Sequence, residues 1–288
     1  MELLRQRGSR RARGDYDLAV MAIFRNEAHV LAEWLDHYVQ FGVEHFYLIN
    51  NRSDDHFESV LAPYQTAGLV DLFDCDEEGR QNGAYAALLP LLARETRWIG
   101  VFDLDEFIYP PAGGAIGDVL ARCSAYDAVL CPWLSFGSNG HLDQPPSVVD
   151  GFTRRGRAGV SRAFLKAISK PASIQEISQH NPITRGPKVL SSGDRHGDEL
   201  FLNLRERDLT RFSLVNNHYR LQSRSYFRAV KTGRPEVNEA VAGACKAMKF
   251  FDENDAGWNE VVDTRLADLR RAHLTRDMAI PEPWRGKA

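Results

Sequence analysis

Residues 98–110 read WIGVFDLDEFIYP. An apolar run with one glycine passes straight into Asp103, Asp105 and Glu106, and Pro110 closes the stretch, with Pro111 next. The run has the length and composition of a buried strand. In an extended segment Asp103 and Asp105 share parity, so both carboxylates are expected on one side. Two carboxylates that close repel each other, and a divalent cation relieves the repulsion. Hard oxygen ligands suit Mg²⁺ or Mn²⁺, which commonly takes further oxygens from a substrate diphosphate. Whether the pair is a site or a solvated turn depends on where this strand falls in the fold.

Upstream, LAVMAIF (18–24), VEHFYLIN (43–50) and LVDLF (69–73) read as strands. The intervening segments read as helices at about 27–41, 54–65 and 82–94. In the first of these Leu31, Trp34, Leu35, Tyr38 and Val39 form one stripe, and Gly42 stands where a C-terminal glycine cap belongs. Regular β-α alternation predicts a parallel sheet with helices on both faces. Right-handed crossovers then set every strand's C-terminal end along one edge, where ligands bind in such sheets. Arg25, Asn26 and Glu27 fall at the first turn on that edge, and Asn51, Ser53 and Asp54 at the second. Asn26, Ser53 and Asp54 are also expected to cap helices. No GxGxxG and no GxxxxGK[ST] occurs, which argues against a Rossmann dinucleotide site and a P-loop.

The second half is less regular. YDAVLCPWLSFGS, FLKAIS, LFLNL and FSLVNNHY read as strands, with long loops over 143–197 and helices over about 222–231 and 257–273. The chain has 288 residues and a net charge of −3, so nothing global points to nucleic acid. Arginines crowd residues 1–15, which read as a disordered basic tail able to make weak peripheral contact with an anionic membrane. The four cysteines form no CxxC pair, and free thiols are expected in a cytoplasmic protein that the basic N-terminus could bring to a membrane.

FRNEAHVLAEWLDHY, INNRSDD, the Arg80-Gln81-Asn82 triplet, WIGVFDLDEFIYP, WLSFGSNGH and NNHYRLQSRSYFRAVKTGRP, in this order, resemble glycosyltransferase family 92 and its bacterial family 2-like relatives. The resemblance covers roughly residues 18–235. It implies a GT-A fold: a single α/β, Rossmann-like domain over 16–288, mostly parallel, with helices on both faces. A nucleotide-sugar half would span about 16–110, a loop-rich acceptor half about 111–250 and a helical segment about 251–288. It implies that Asp103, Asp105 and His218 hold Mn²⁺ or Mg²⁺. Arg25, Glu27, Asn51, Asp54 and Gln81 would contact a UDP- or GDP-sugar donor, and Lys231 and Arg234 the departing diphosphate. The implied reaction is metal-dependent, inverting transfer of a hexosyl group to a glycan or other hydroxyl acceptor.

Inversion needs a base. The loop residues His141, Asp143, His180 and Asp198 are candidates, and the QxxRW pattern of family 2 is not visible. Trp133, Phe136 and the FGSNGH loop are expected to form an acceptor platform. The alternatives are a haloacid-dehalogenase-type phosphohydrolase, with Asp103 as nucleophile, a nucleotidyltransferase, and a nucleotide- or carbohydrate-binding protein without turnover.

Overall fold

The computed structural model describes residues 3–7, 15–77, 79–160, 162–232 and 246–275. The elements are β1 (Arg5–Arg7), β2 (Tyr16–Phe24), α1 (Ala28–Gln40), β3 (His45–Asn50), α2 (Phe57–Thr66), β4 (Val70–Asp74), α3 (Gln81–Glu95), β5 (Thr96–Val101), β6 (Glu106–Tyr109), α4 (Ile116–Arg122), β7 (Ala128–Ser135), β8 (Arg154–Arg155) and β9 (Ala163–Ser169). Further short elements follow. In the main sheet the order is β1-β4-β3-β2-β5-β9-β7, continued by Lys188–Leu190 and Arg195–His196.

β4, β3, β2 and β5 run parallel. Their side chains alternate between two cores. Leu18, Val20, Ala22 and Phe24 of β2 join Trp34, Leu35 and Leu61 on one face. Ala19, Met21 and Ile23 join Ala84, Tyr85, Leu88 and Leu92 on the other. A strand covered on both faces has no polar side to show, hence the unbroken apolar runs in the sequence. α1 contributes Leu31, Trp34, Leu35 and Tyr38, each fully buried. Burying one such side chain is worth about 1.5–3 kcal/mol. Gly42 has φ +91°, the left-handed conformation expected of it past the end of α1.

The structure differs from the sequence reading in several places. β9 inserts antiparallel between β5 and β7. β6 pairs antiparallel with Val215–His218, which also runs parallel to β7. Residues 224–231 form a short α-turn that continues as a π-helix over Phe227–Lys231. The expected helix at 257–273 is a 3-10 turn, a short strand and a helix over Arg265–Thr275. Part of the expected tail is also ordered: Arg5–Arg7 adds an edge strand to β4, and Arg5 and Arg7 pair with Asp74. Those two guanidiniums are committed to a carboxylate, whereas residues 8–14 lie outside the described residues. No described helix is long and apolar enough to cross a membrane.

Candidate active site

β5 stops at Val101, and the DLDE segment is a tight turn, not an extended continuation. The Glu106 N–H donates to the Asp103 carbonyl (3.1 Å), and the Asp103 N–H donates to Glu106 Oε2 (2.9 Å). Shared parity therefore does not set the directions of Asp103 and Asp105. α1 pins the turn from behind. Trp34 Nε1 donates to the carbonyls of Asp103 and Glu106 (both 3.1 Å), and the Tyr38 hydroxyl donates to the Glu106 carbonyl (3.0 Å). His37 Nε2 donates to the Ile108 carbonyl (2.8 Å), and burial lowers this imidazole to about 3, so it stays neutral. The EWLDHY and DLDEF segments are thus one mechanical unit. Trp34→Phe keeps most of the apolar volume but removes one of the two donors from each of these carbonyls, leaving the Glu106 N–H on Asp103 and the Tyr38 hydroxyl on Glu106. The expected cost is about 1–3 kcal/mol, read by urea denaturation, with a fall in turnover because the turn loosens.

Each aspartate then meets its own lysine. Asp103 lies 3.2 Å from Lys166 Nζ, and Gln81 Nε2 donates to its other oxygen (3.4 Å). Lys166 also pairs with Glu106 at 2.7 Å, and the side chains of Lys166 and Glu106 are wholly buried. Burial works against the Lys166 charge, but Asp103 and Glu106 outweigh it and raise the ammonium pKa. Burial, abetted by Asp103, pushes Glu106 up to about 8 against the pull of Lys166. One positive charge thus serves two carboxyls, 2.7 Å from Glu106 and 3.2 Å from Asp103.

Asp105 lies 2.9 Å from Lys231 Nζ and 3.4 Å from His218 Nε2. Glu27 Oε1 is 3.5 Å from the same ammonium. Burial pushes Asp105 up, but Lys231 and His218 together hold it well below the usual carboxylate range. Burial lowers His218, against the opposing pull of Asp105.

Of the expected site residues, Glu27, Gln81, Asp103, Asp105, His218 and Lys231 come together in this network. Others do not join it. Asn51 is buried, and its amide donates to the carbonyls of Cys75 and Glu77, fixing the turn after β4. Asp54 is exposed, its N–H held by Asn26 Oδ1; Asn26 and Asp54 line an open cavity of about 620 Å³ with Gln144 and Tyr226. The capping is exchanged between turns: the Asp55 carboxylate accepts from the Ala28 N–H (2.8 Å), and neither Asn26 nor Asp54 caps its own helix. Arg25 is half-buried in the first turn, and Arg234 lies outside the described residues.

The base candidates are dispersed. His141 Nε2 donates to the Gly151 carbonyl (3.0 Å) and its ring packs on Phe152. Asp143 is exposed. Asp198 pairs with Lys188 at 2.6 Å. His180 alone approaches the network, with its ring 5.2 Å from Trp133, whose ring is 4.1 Å from His218. Burial lowers His180 to about 3, which suits hydrogen bonding better than proton removal. Of the expected acceptor platform, Phe136 and the FGSNGH loop are committed to the fold. Phe136 is buried against Tyr219, and Ser138 and Asn139 are tied to Asp255 and Asn259.

Among the described residues, no three His, Cys, Asp or Glu side chains stand close enough to hold a metal ion, so Asp103, Asp105 and His218 do not form a protein-only triad. The smaller set fits better. Asp105 Oδ1 and His218 Nε2, 3.4 Å apart, are near the roughly 3 Å separation of adjacent ligands on an octahedral ion. One carboxylate plus substrate phosphates and water is a common way to hold Mg²⁺.

A model of glycosyltransferase family 92 matches residues 18–244. The chain belongs to glycosyltransferase family 92. The family 92 protein Os08g0121900 of Oryza sativa subsp. japonica is 26% identical over 76% of this chain and 36% of its own length. The family 92 protein RCOM_0530710 of Ricinus communis is 25% identical over 94% of this chain and 49% of its own length. The chain thus spans half or less of these relatives. A galactan beta-1,4-galactosyltransferase of Arabidopsis thaliana, GALS2, is 31% identical over 41% of this chain and 25% of its own length. Among solved structures, S. aureus TarS 1-349 in complex with UDP aligns with a TM-score of 0.37 and 13% identity, over 54% of this chain and 47% of that one.

Three residues of this network are not singled out by the sequence. Lys166 is the one charge inside FLKAIS, and an isolated lysine in an apolar strand calls for a carboxylate partner. Glu106 is visible in DLDEF, but nothing local points to its pairing with Lys166. Tyr85, whose hydroxyl takes hydrogen bonds from Gln81 Nε2 (3.2 Å) and the Ile23 N–H (3.3 Å), left no local signal.

Proposed function

We propose that this chain transfers a hexosyl group from a nucleoside-diphosphate sugar to a hydroxyl of a glycan, with the diphosphate held at Asp105, His218 and Lys231. The observation that carries this is a carboxylate at the ligand edge of the parallel strands, 6% exposed and set between an imidazole and an ammonium. Membership of family 92 supports glycosyl transfer, and the galactosyltransferase relative suggests a galactosyl donor and a galactan-like acceptor.

Asp105 and His218 would hold Mn²⁺ or Mg²⁺, which when bound adds positive charge beside the leaving diphosphate. Lys231, 3% exposed, supplies a second fixed charge there, and such preorganised charge is the main aid to a departing anion. Lys166 and Gln81 orient Asp103. Asn26 and Asp54, at the rim of the open cavity, are within the region expected to meet base and ribose. Inversion, implied by the resemblance, requires a base that none of the four loop candidates supplies in this arrangement.

The test is binding and turnover with a panel of UDP- and GDP-hexoses, with and without Mn²⁺. Release of nucleoside diphosphate that rises with added β-1,4-galactan oligosaccharide is the expected result. A chain that neither binds nor consumes any member of the panel overturns the proposal.

A further inference from the structure

The sheet face that carries the charged network also carries polar atoms that the fold leaves without partners. Strand register puts Asn216 opposite Trp133, His218 opposite Ser135 and Glu106, and Cys131 opposite Lys166. Parity then sets Trp133, Phe164, Lys166, Asn216 and His218 on one face. The Trp133 ring packs against His218 (4.1 Å between centroids), Phe164 (5.0 Å) and His180 (5.2 Å). Within this aromatic group Trp133 Nε1, His180 Nδ1 and His218 Nδ1 are buried without a hydrogen-bond partner. Beside it Asn216 is wholly buried, and neither its amide nitrogen nor its amide oxygen has a partner.

Buried amides are nearly always paired, because water that is given up must be replaced. Several unpaired donors and acceptors beside stacked rings therefore ask for a ligand with matching chemistry. A sugar ring matches: its C–H face covers aromatic rings, and its neighbouring hydroxyls each donate and accept. His218 links the two regions, since its Nε2 faces Asp105 while its ring lies against Trp133.

We propose that Trp133, Phe164, His180, Asn216 and His218 form a pyranose-binding subsite beside the diphosphate site. The proposal rests on the glycosyl-transfer reading and names where a sugar ring sits. That ring is either the hexosyl group of the donor or the terminal residue of the acceptor.

Calorimetric titration of wild type, Asn216→Leu and Trp133→Phe separates the two. The ligands are UDP, UDP-galactose, UDP-glucose, GDP-mannose and a β-1,4-galactan oligosaccharide. Each variant is expected to lose roughly three- to tenfold in affinity for a sugar-bearing ligand, with UDP affinity unchanged. Loss on the nucleotide sugar assigns the donor hexosyl, and loss on the oligosaccharide assigns the acceptor. Asn216→Leu should melt no lower than wild type, because the amide it removes has no partner in the fold. If Asn216→Leu does melt lower, Trp133→Phe decides, since it keeps an aromatic face and removes the indole N–H. Unchanged affinity for every sugar-bearing ligand in both variants overturns the subsite and leaves these atoms to buried water. If wild type binds neither UDP nor GDP, the transfer reading falls first. The oligosaccharide then decides the subsite alone: binding weakened in both variants supports it, and no binding overturns it.

Discussion

Lys166→Met is expected to cost the fold about 3–5 kcal/mol, the largest stability loss of any single change at the site. The side chain is fully buried, with Asp103 at 3.2 Å and Glu106 at 2.7 Å. Without the ammonium, two carboxyls face each other with no compensating charge. The relief available is protonation, and Glu106 is already pushed up to about 8 by burial. That shift has a direction in pH. A carboxyl whose folded pKa lies above its unfolded value favours the folded state most below about pH 4.5, and the contribution fades as pH rises toward 8. Each unit of that interval is worth about 1.4 kcal/mol. Wild type should therefore weaken from pH 5 to pH 8, Lys166→Met should weaken more steeply, and Glu106→Gln should flatten the slope. The double variant Lys166→Met, Glu106→Gln should recover part of the loss, because only Asp103 then lacks its partner. Urea midpoints at pH 5 and pH 8 measure all four proteins. A loss under about 1 kcal/mol in Lys166→Met would mean that the buried pair is not formed as described.

Lys166 also marks the boundary of what the sequence discloses. β2 to β5 were legible because both faces are buried, which leaves long apolar runs, and α1 was legible because its stripe repeats at helical spacing. The ligand edge and the placing of Asp105 on it followed from that alternation. The DLDE turn did not follow: alternating polar and apolar residues fit a strand and a tight turn alike, and the choice is made by Trp34 and Tyr38, about 70 residues earlier. The insertion of β9 between β5 and β7, and the pairing of Val215–His218 with both β6 and β7, are long-range register choices with no local trace. Arg5–Arg7 misleads for another reason. Its charges suit an edge strand, where they discourage pairing with other chains, and in isolation that composition looks like a tail. Lys166 belongs to a different class, because its strand is legible and the lone charge within it is visible, while its carboxylate partners lie far off in the chain.

Asp105→Asn is expected to lower turnover by about a hundred- to a thousandfold while leaving a folded protein. The substitution keeps the shape and removes the charge that holds Lys231 at 2.9 Å and His218 at 3.4 Å. Glu27 remains 3.5 Å from Lys231, so the ammonium keeps a carboxylate neighbour and the stability loss should be smaller than for Lys166→Met. Two changes should accompany the loss of turnover. Affinity for UDP or GDP in the presence of Mn²⁺ should fall, because one of the two protein donors is gone. The acid limb of the stability curve should flatten, because a carboxyl held below its ordinary pKa stabilises the fold above that value and loses the contribution as pH drops. Lys231→Met should lower turnover as well but leave Mn²⁺ affinity intact or raised, since the ammonium and the ion favour the same carboxylate. Loss of Mn²⁺ binding in Asp105→Asn but not in Lys231→Met, with the same direction on turnover, distinguishes a carboxylate at the reaction centre from one that only braces the turn. Turnover within threefold of wild type in Asp105→Asn would remove that carboxylate from the chemistry.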